Sequence, residues 1–224
     1  MAVAQNGPQL QLPRTQLQAG MHRLDVQLAQ TPEQHQFTID TYTYTVPVPD
    51  GFCVPVDGQV ALAEQVAALD AMNFTHAAFD RCGSFGVDYV HIKSPRESER
   101  VPLTKPMFID LAARQIQSAA GQQMMDDAMA QAGRNISEGT NNAVALGTPV
   151  PRFAGKDADC AYLFIAADVV MGDKTVAMIS ATCLTLVEGQ FMSVHAYATR
   201  ETGVTEQELK ERSRAIAAAI MPKP

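Results

Sequence analysis

Apolar and polar positions alternate with a period of two through most of the last eighty residues of the chain, which predicts strands. Candidate strands span 143–146, 160–170, 175–187 and 190–199. The middle pair folds back at Gly172-Asp173, so Met171 faces Lys174 and Cys160 falls opposite Thr185, two residues from Cys183. Gly189 supplies the next tight turn. Earlier, NFTHAAFDRC and VDYVHIK alternate in the same way, joined by a glycine turn at 83–86. FTIDTYTYTVPV, at 37–48, reads as one strand, an edge or lead-in segment ended by Pro47 and Pro49. A further strand is expected at 21–28, inside a glutamine-rich, tail-like stretch with Pro8, Pro13 and Pro32.

Helical spacing takes over in three places. From Asp57-Gly58, with Asp57 as N-cap, Val60, Leu62, Ala63, Val66, Leu69 and Met72 recur on one stripe. Residues 106–132 carry Phe108, Leu111, Ile116, Met124, Met125 and Met129, with Gly121 placed to kink or divide the helix. GRNISEGTNN, at 133–142, reads as loop. Thr205 with Glu208 forms a capping box that opens a closing helix; Leu209, Ile216 and Ile220 are its apolar face and Pro222 its stop. Runs of strands separated by helices predict an α+β fold, an antiparallel β-sheet flanked by helices, rather than a parallel α/β sheet. The division expected is a tail or lead-in segment at 1–46 and one domain at 47–224.

Of the 224 residues, 46% are hydrophobic, enough for a sizeable core. The longest apolar run, 176–187, is broken by Ser180, Thr182 and Thr185, so no span argues for membrane insertion. The net charge is −7, and the one basic concentration, Lys93, Arg96 and Arg100, alternates with Glu97 and Glu99. Nucleic-acid binding is therefore not expected. The opening MAVAQ fits the small-x-small pattern that precedes a signal-peptidase cut, an expectation of export.

Four cysteines, Cys53, Cys82, Cys160 and Cys183, allow three pairings. No CxxC occurs, which removes close-spaced zinc ligands and thioredoxin-like redox chemistry. The predicted hairpin brings Cys160 toward Cys183, helped by a bulge or longer turn, and Cys53 and Cys82 bracket a turn, helix and strand. The expected disulfides are Cys53–Cys82 and Cys160–Cys183. The alternative is four buried free thiols. The even count and local pairing favour an oxidising compartment such as a bacterial periplasm, or secretion.

ATCLTLVEGQFMSVHAYATRE, followed by an amphipathic last helix, resembles the Mog1/PsbP-like α/β/α sandwich. FCVPVDGQVALAEQVAALDAMNFTHAAFDRCG and VDYVHIKSPR fit the same order and resemble uncharacterised secreted bacterial proteins; the resemblance covers about 47–221. It implies a binding, assembly or accessory protein and carries over no catalytic residue. LPRTQLQAGMHRLDVQLAQTPEQ resembles the mature start of a small exported bacterial family of unknown function, departing from it at His35-Gln36-Phe37.

Phosphate loops, GxGxxG, HExxH and GxSxG are absent. His76, His91 and His195 fall on predicted strands and would bind a metal only if neighbouring strands set all three on one face; surface or hydrogen-bonded core positions are the commoner outcome. Asp126 and Asp127 diverge by about 100° on a helix and read as solvated charge. Met124, Met125 and Met129 read as core packing rather than copper ligands. The charged loop 94–100 reads as solvated, or as a surface that faces a partner. No catalytic, cofactor or metal site is assigned. The leading expectation is a periplasmic or secreted non-enzymatic accessory protein that binds another protein. The alternatives are a small-molecule or lipid binder with an apolar cleft between helix 106–132 and the sheet, and a hydrolase using His91 or His195.

Overall fold

A computed structural model describes residues 33–97 and 100–223. The strands are β1 (Gln34–Ile39), β2 (Tyr42–Pro47), β3 (Phe52–Cys53), β4 (Asn73–Arg81), β5 (Asp88–Pro95), β6 (Val144–Leu146), β7 (Val150–Lys156), β8 (Ala161–Met171), β9 (Lys174–Val187), β10 (Gln190–Thr199) and β11 (Met221–Pro222). The helices are α1 (Gly58–Ala68), α2 (Lys105–Gln117), α3 (Ala119–Gly139) and α4 (Glu206–Ala219). The fold is α+β, and its strands pair antiparallel. One sheet runs β3-β4-β5-β10-β9-β8-β6, with β7 also on β8; a second runs β1-β2-β11.

The period-two pattern sorts the large sheet into two unlike faces. Ile179, Ala181 and Cys183 of β9, Met192, Val194, Ala196 and Ala198 of β10, Val90 and Ile92 of β5 and Phe79 of β4 form one sealed layer, each at most 8% exposed. Leu209, Ile216 and Ala217 of α4 and Ile220 just after it pack onto it, as do Phe37, Ile39, Tyr44 and Val46 of the small sheet. Burying each large side chain here stabilises the fold by about 1.5–3 kcal/mol. The capping box at Thr205 forms as expected, with Thr205 and Glu208 exchanging backbone and side-chain bonds. α2 and α3 lie against the other face, where Ile109, Ala113 and Ile116 meet Ala161, Leu163 and Leu184.

Several elements differ from the sequence reading. The stretch at 37–48 belongs to a hairpin, because Asp40, at φ 53°, turns the chain and a two-residue turn preserves the alternation on both sides. β7 went unseen; Pro151 and Gly155 break its pattern, and it pairs along β8 with a register shift between Phe153 and Lys156. Residues 133–139 of the expected loop are helical, and Thr140 ends α3 by donating to the Ile136 carbonyl. Asp57 precedes α1 without capping it through its side chain, and no residue of α1 is buried; Val60 and Val66 are exposed. The strand expected at 21–28 lies outside the described residues.

The division near Gly121 is sharp. The break sits at Ser118, whose hydroxyl donates to the Gln115 carbonyl and accepts the Gly121 amide. A Cβ on Gly121 would stand 1.8 Å from the Gln115 oxygen, which is backbone and cannot swing away. Gly121→Ala should therefore destabilise the protein by about 1–3 kcal/mol, the usual cost of overpacking, read as a lower urea midpoint; an unchanged midpoint would mean the corner opens freely.

Both disulfides have the expected partners: Cys53–Cys82 and Cys160–Cys183, each with Cα atoms 5.1 Å apart. Neither a bulge nor a longer turn is needed for the second. The β8–β9 ladder runs unbroken from Ala161 opposite Leu184 to Met171 opposite Lys174. Cys160 instead lies in a turn before β8, where the Asp157 carboxylate accepts the amides of Asp159 and Cys160 and Thr185 donates to the Asp159 carbonyl. That turn draws the chain across the diagonal toward Cys183. Among the described residues no helix is long and apolar enough to cross a membrane.

Candidate functional site: a polar, aromatic cleft beneath the helices

The face of the large sheet turned toward α2 and α3 is not sealed. On β5, Tyr89, His91 and Lys93 share this face; on β10, Ser193, His195 and Tyr197; on β9, Ser180 and Thr182. Their register sets His91 directly opposite His195, Tyr89 opposite Tyr197, and Thr182 opposite His195 on the far side. The Tyr89 and Tyr197 rings stack at 4.6 Å, and His91 lies 5.0 Å from Tyr89 and 5.7 Å from Tyr197. All four rings are half-buried, whereas the residues beneath them on the opposite face are buried.

The rings of this strip and Lys93 are half-buried rather than sealed. α2 packs toward β7, β8 and β9. Along α3 only Gly121 is buried; Met125, Met129, Ala132 and Ile136, at helical spacing, are half-buried. On the β4 side, Leu69 at the end of α1 touches Gly139 at the end of α3. Asp70 then binds Lys93 at 2.8 Å, tying the end of α1 down to the strip. The result is a polar, aromatic strip whose rings stay half-buried on the side of the sheet carrying α2 and α3.

The two central histidines differ. His195 Nδ1 lies 2.9 Å from the Thr182 hydroxyl and Nε2 2.9 Å from the Ser193 hydroxyl, so both nitrogens are engaged and the ring is held. The His91 nitrogens have no hydrogen-bond partner among the described residues, and they are not sealed from solvent either. Burial, with the Lys93 charge adding to it, pushes the His91 pKa down to about 3, and the same two causes hold His195 well below its ordinary 6.5. Burial raises both tyrosines far above the usual phenol range. Asp80, opposite Tyr89, is raised by burial to about 6 while it accepts the Gly86 amide.

These shifts predict an acid-sensitive fold. An imidazole with a lowered folded pKa stays neutral as pH falls, while the unfolded chain takes up protons below 6.5. His91 and His195 therefore remove stability as pH falls from about 6.5, each with a slope approaching about 1.4 kcal/mol per pH unit, and His76, which burial also lowers, acts in the same direction. Asp80 acts oppositely between about 6 and its ordinary 3.8, because its folded carboxyl takes the proton first. Three imidazoles outweigh one carboxyl, so the urea midpoint should drop between about pH 7.5 and about pH 5. A flat profile would mean that the imidazoles protonate freely in the folded protein.

The histidines do not form a metal triad. A register shift between Thr75 and Ala77 turns His76 onto the opposite face, where it bonds Ser94 at 2.8 Å and stacks on Phe37. There it lines a shallow concavity of about 320 Å³ with Asp40, Phe74 and Arg96. Among the described residues no group of three His, Cys, Asp or Glu side chains could hold a metal ion. Met124 is exposed and not core, whereas Met125 packs against the α2 cluster; Asp126 and Asp127 are exposed. The basic residues expected in the solvated loop are engaged: Arg96 donates to the Asp70 carbonyl and covers the Phe74 ring, and Arg100 covers Tyr42. Sequence reasoning singled out His91 and His195 but not Tyr89, Tyr197, Ser193 or Thr182. Their shared parity was visible; the strand order that unites them was not.

Compared with known families and with curated proteins, the chain matches no family model and no curated sequence.

Proposed function

We propose that this is a non-enzymatic binding protein of an oxidising compartment, the bacterial periplasm or the external medium, and that it holds a small molecule in the cleft beneath α2 and α3. One observation carries the reading: the floor is polar and aromatic, half-open and only partly satisfied by the protein, whereas the opposite face of the same central strands, at Val90, Ile92, Ala181, Cys183, Val194 and Ala196, is sealed. A surface meant only to pack helices would be apolar, as it is where Ile109 and Ile116 meet Leu163 and Leu184. The two disulfides support the compartment. Helices on both sides of an antiparallel sheet, with a long hairpin, a further strand and a closing helix, support a Mog1/PsbP-like sandwich.

Native mass spectrometry of protein released gently from an oxidised extract tests the reading. A discrete adduct, lost when Ser180→Phe fills the floor, is the expected result; only the bare mass, with a folded spectrum, overturns it. Hydrolysis is the weaker reading although Ser193 touches His195, because Ser193 is buried and imidazoles held so far below their ordinary pKa are poor bases. A protein partner remains a second reading, favoured by the exposed Val60, Val66, Met72 and Phe74 on and just after α1. It predicts that Val66→Lys abolishes capture of one specific protein without disturbing the cleft adduct.

A further inference from the structure

The chemistry of the cleft floor narrows the ligand class, and this step rests on the cleft reading above. We propose that the cleft takes an uncharged, flat aromatic compound bearing a hydroxyl or carbonyl oxygen, and that His91 is the side chain that hydrogen-bonds it.

Charge decides the first half. The cationic side chain of the floor, Lys93, is matched by Asp70 at 2.8 Å. The Asp70 carboxylate is itself fixed by Asn73 and the Met72 amide. A carboxylate or phosphate entering the cleft would find no unmatched cation among the floor residues, while the buried Asp80 carboxylate stands beside Tyr89. Such a ligand would lose its water without recovering an ion pair. Shape supports a flat ring. Tyr89, Tyr197, His91 and His195 form one strip of rings with neighbouring centroids 4.6 to 5.9 Å apart, the spacing at which aromatic groups add offset or edge-on contacts. An alkyl chain would forgo these.

The contrast between the histidines decides the second half. His195 is bonded at both nitrogens by Thr182 and Ser193, so it serves as a fixed wall. His91, Tyr89 and Tyr197 make no side-chain hydrogen bond to another described residue, and their polar atoms are not among those sealed from solvent without a partner. A neutral imidazole offers one donor and one acceptor, and each phenol a donor and an acceptor, which suits an oxygen-bearing neutral ligand.

Calorimetric titration of the whole chain with naphthol, naphthoate and dodecanoate tests this. Naphthol should bind, naphthoate at least about tenfold more weakly, and dodecanoate more weakly still. His91→Phe should weaken naphthol about tenfold while Lys174→Gln, at the exposed turn between β8 and β9, leaves it unchanged. His91→Asn, which keeps a polar group, serves if the phenylalanine variant does not fold. Naphthoate or dodecanoate binding as tightly as naphthol overturns the ligand class but spares the cleft. Naphthol bound equally well by both His91 variants overturns the role of His91. No binding by any probe, together with no native adduct, overturns this inference and the cleft reading alike.

Discussion

Replacing Cys160 and Cys183 together with alanine lowers the free energy of unfolding by about 3–4 kcal/mol. The bridge closes a loop with a sequence separation of 23, and on the chain-entropy model that constraint on the unfolded chain sets the size of the loss. Both cysteines are fully buried and pack in the main core, so the lost sulfurs also leave unfilled space. The affected hairpin, β8 with β9, supplies the two longest strands, and β9 carries both β10 and the α4 packing. Urea unfolding of oxidised protein and the double variant measures the difference. Thiol alkylation supplies the companion observation: native, unreduced protein should accept no label. A loss under about 1 kcal/mol would mean that the unfolded chain is already compact around this hairpin. Four labelled thiols would remove the bridges and the argument for an oxidising compartment.

The same hairpin shows why part of this fold was legible. Where one face is buried, a strand must alternate, and Gly172-Asp173 and Gly189 mark turns that keep the alternation in phase. β8, β9, β10 and the Cys160–Cys183 pair follow from those few residues. Local signals misled where the chain continued through a turn without losing parity, as at Asp40, or where proline and glycine sat on a bulged partner strand, as in β7. The α1 stripe of Val60, Val66 and Met72 looked like a core face, yet periodicity reports amphipathicity and not what lies opposite. The cleft was half legible. Tyr89, His91 and Lys93 share parity, as do Ser193, His195 and Tyr197. That β10 inserts between β5 and β9 is a matter of strand order, which no local pattern carries. A single inserted residue at the Thr75–Ala77 shift put His76 on the wrong face for a triad.

Asp88 illustrates the long-range part of the stability that only the assembled structure reveals, and Asp88→Ala should cost about 3–5 kcal/mol. Its carboxylate, 6% exposed, accepts from Arg81 of β4 at 3.0 Å and from Arg212 of α4, 124 positions away in the chain. Both guanidinium groups also lie over the Phe52 ring, at 4.7 and 5.0 Å. Removing the carboxylate leaves two cations against one aromatic ring, and Arg212, only 15% exposed, cannot regain its water. The penalty of an uncompensated buried charge, not the worth of the pair, sets the magnitude. Arg81, at 42% exposed, contributes little to it. The mechanism is separable by a second variant: Asp88→Leu with Arg212→Met removes both charges and should recover most of the lost stability, because two apolar groups can fill the space. If the double variant is as unstable as Asp88→Ala, the cost lies in packing between α4 and the sheet, and the charge argument fails.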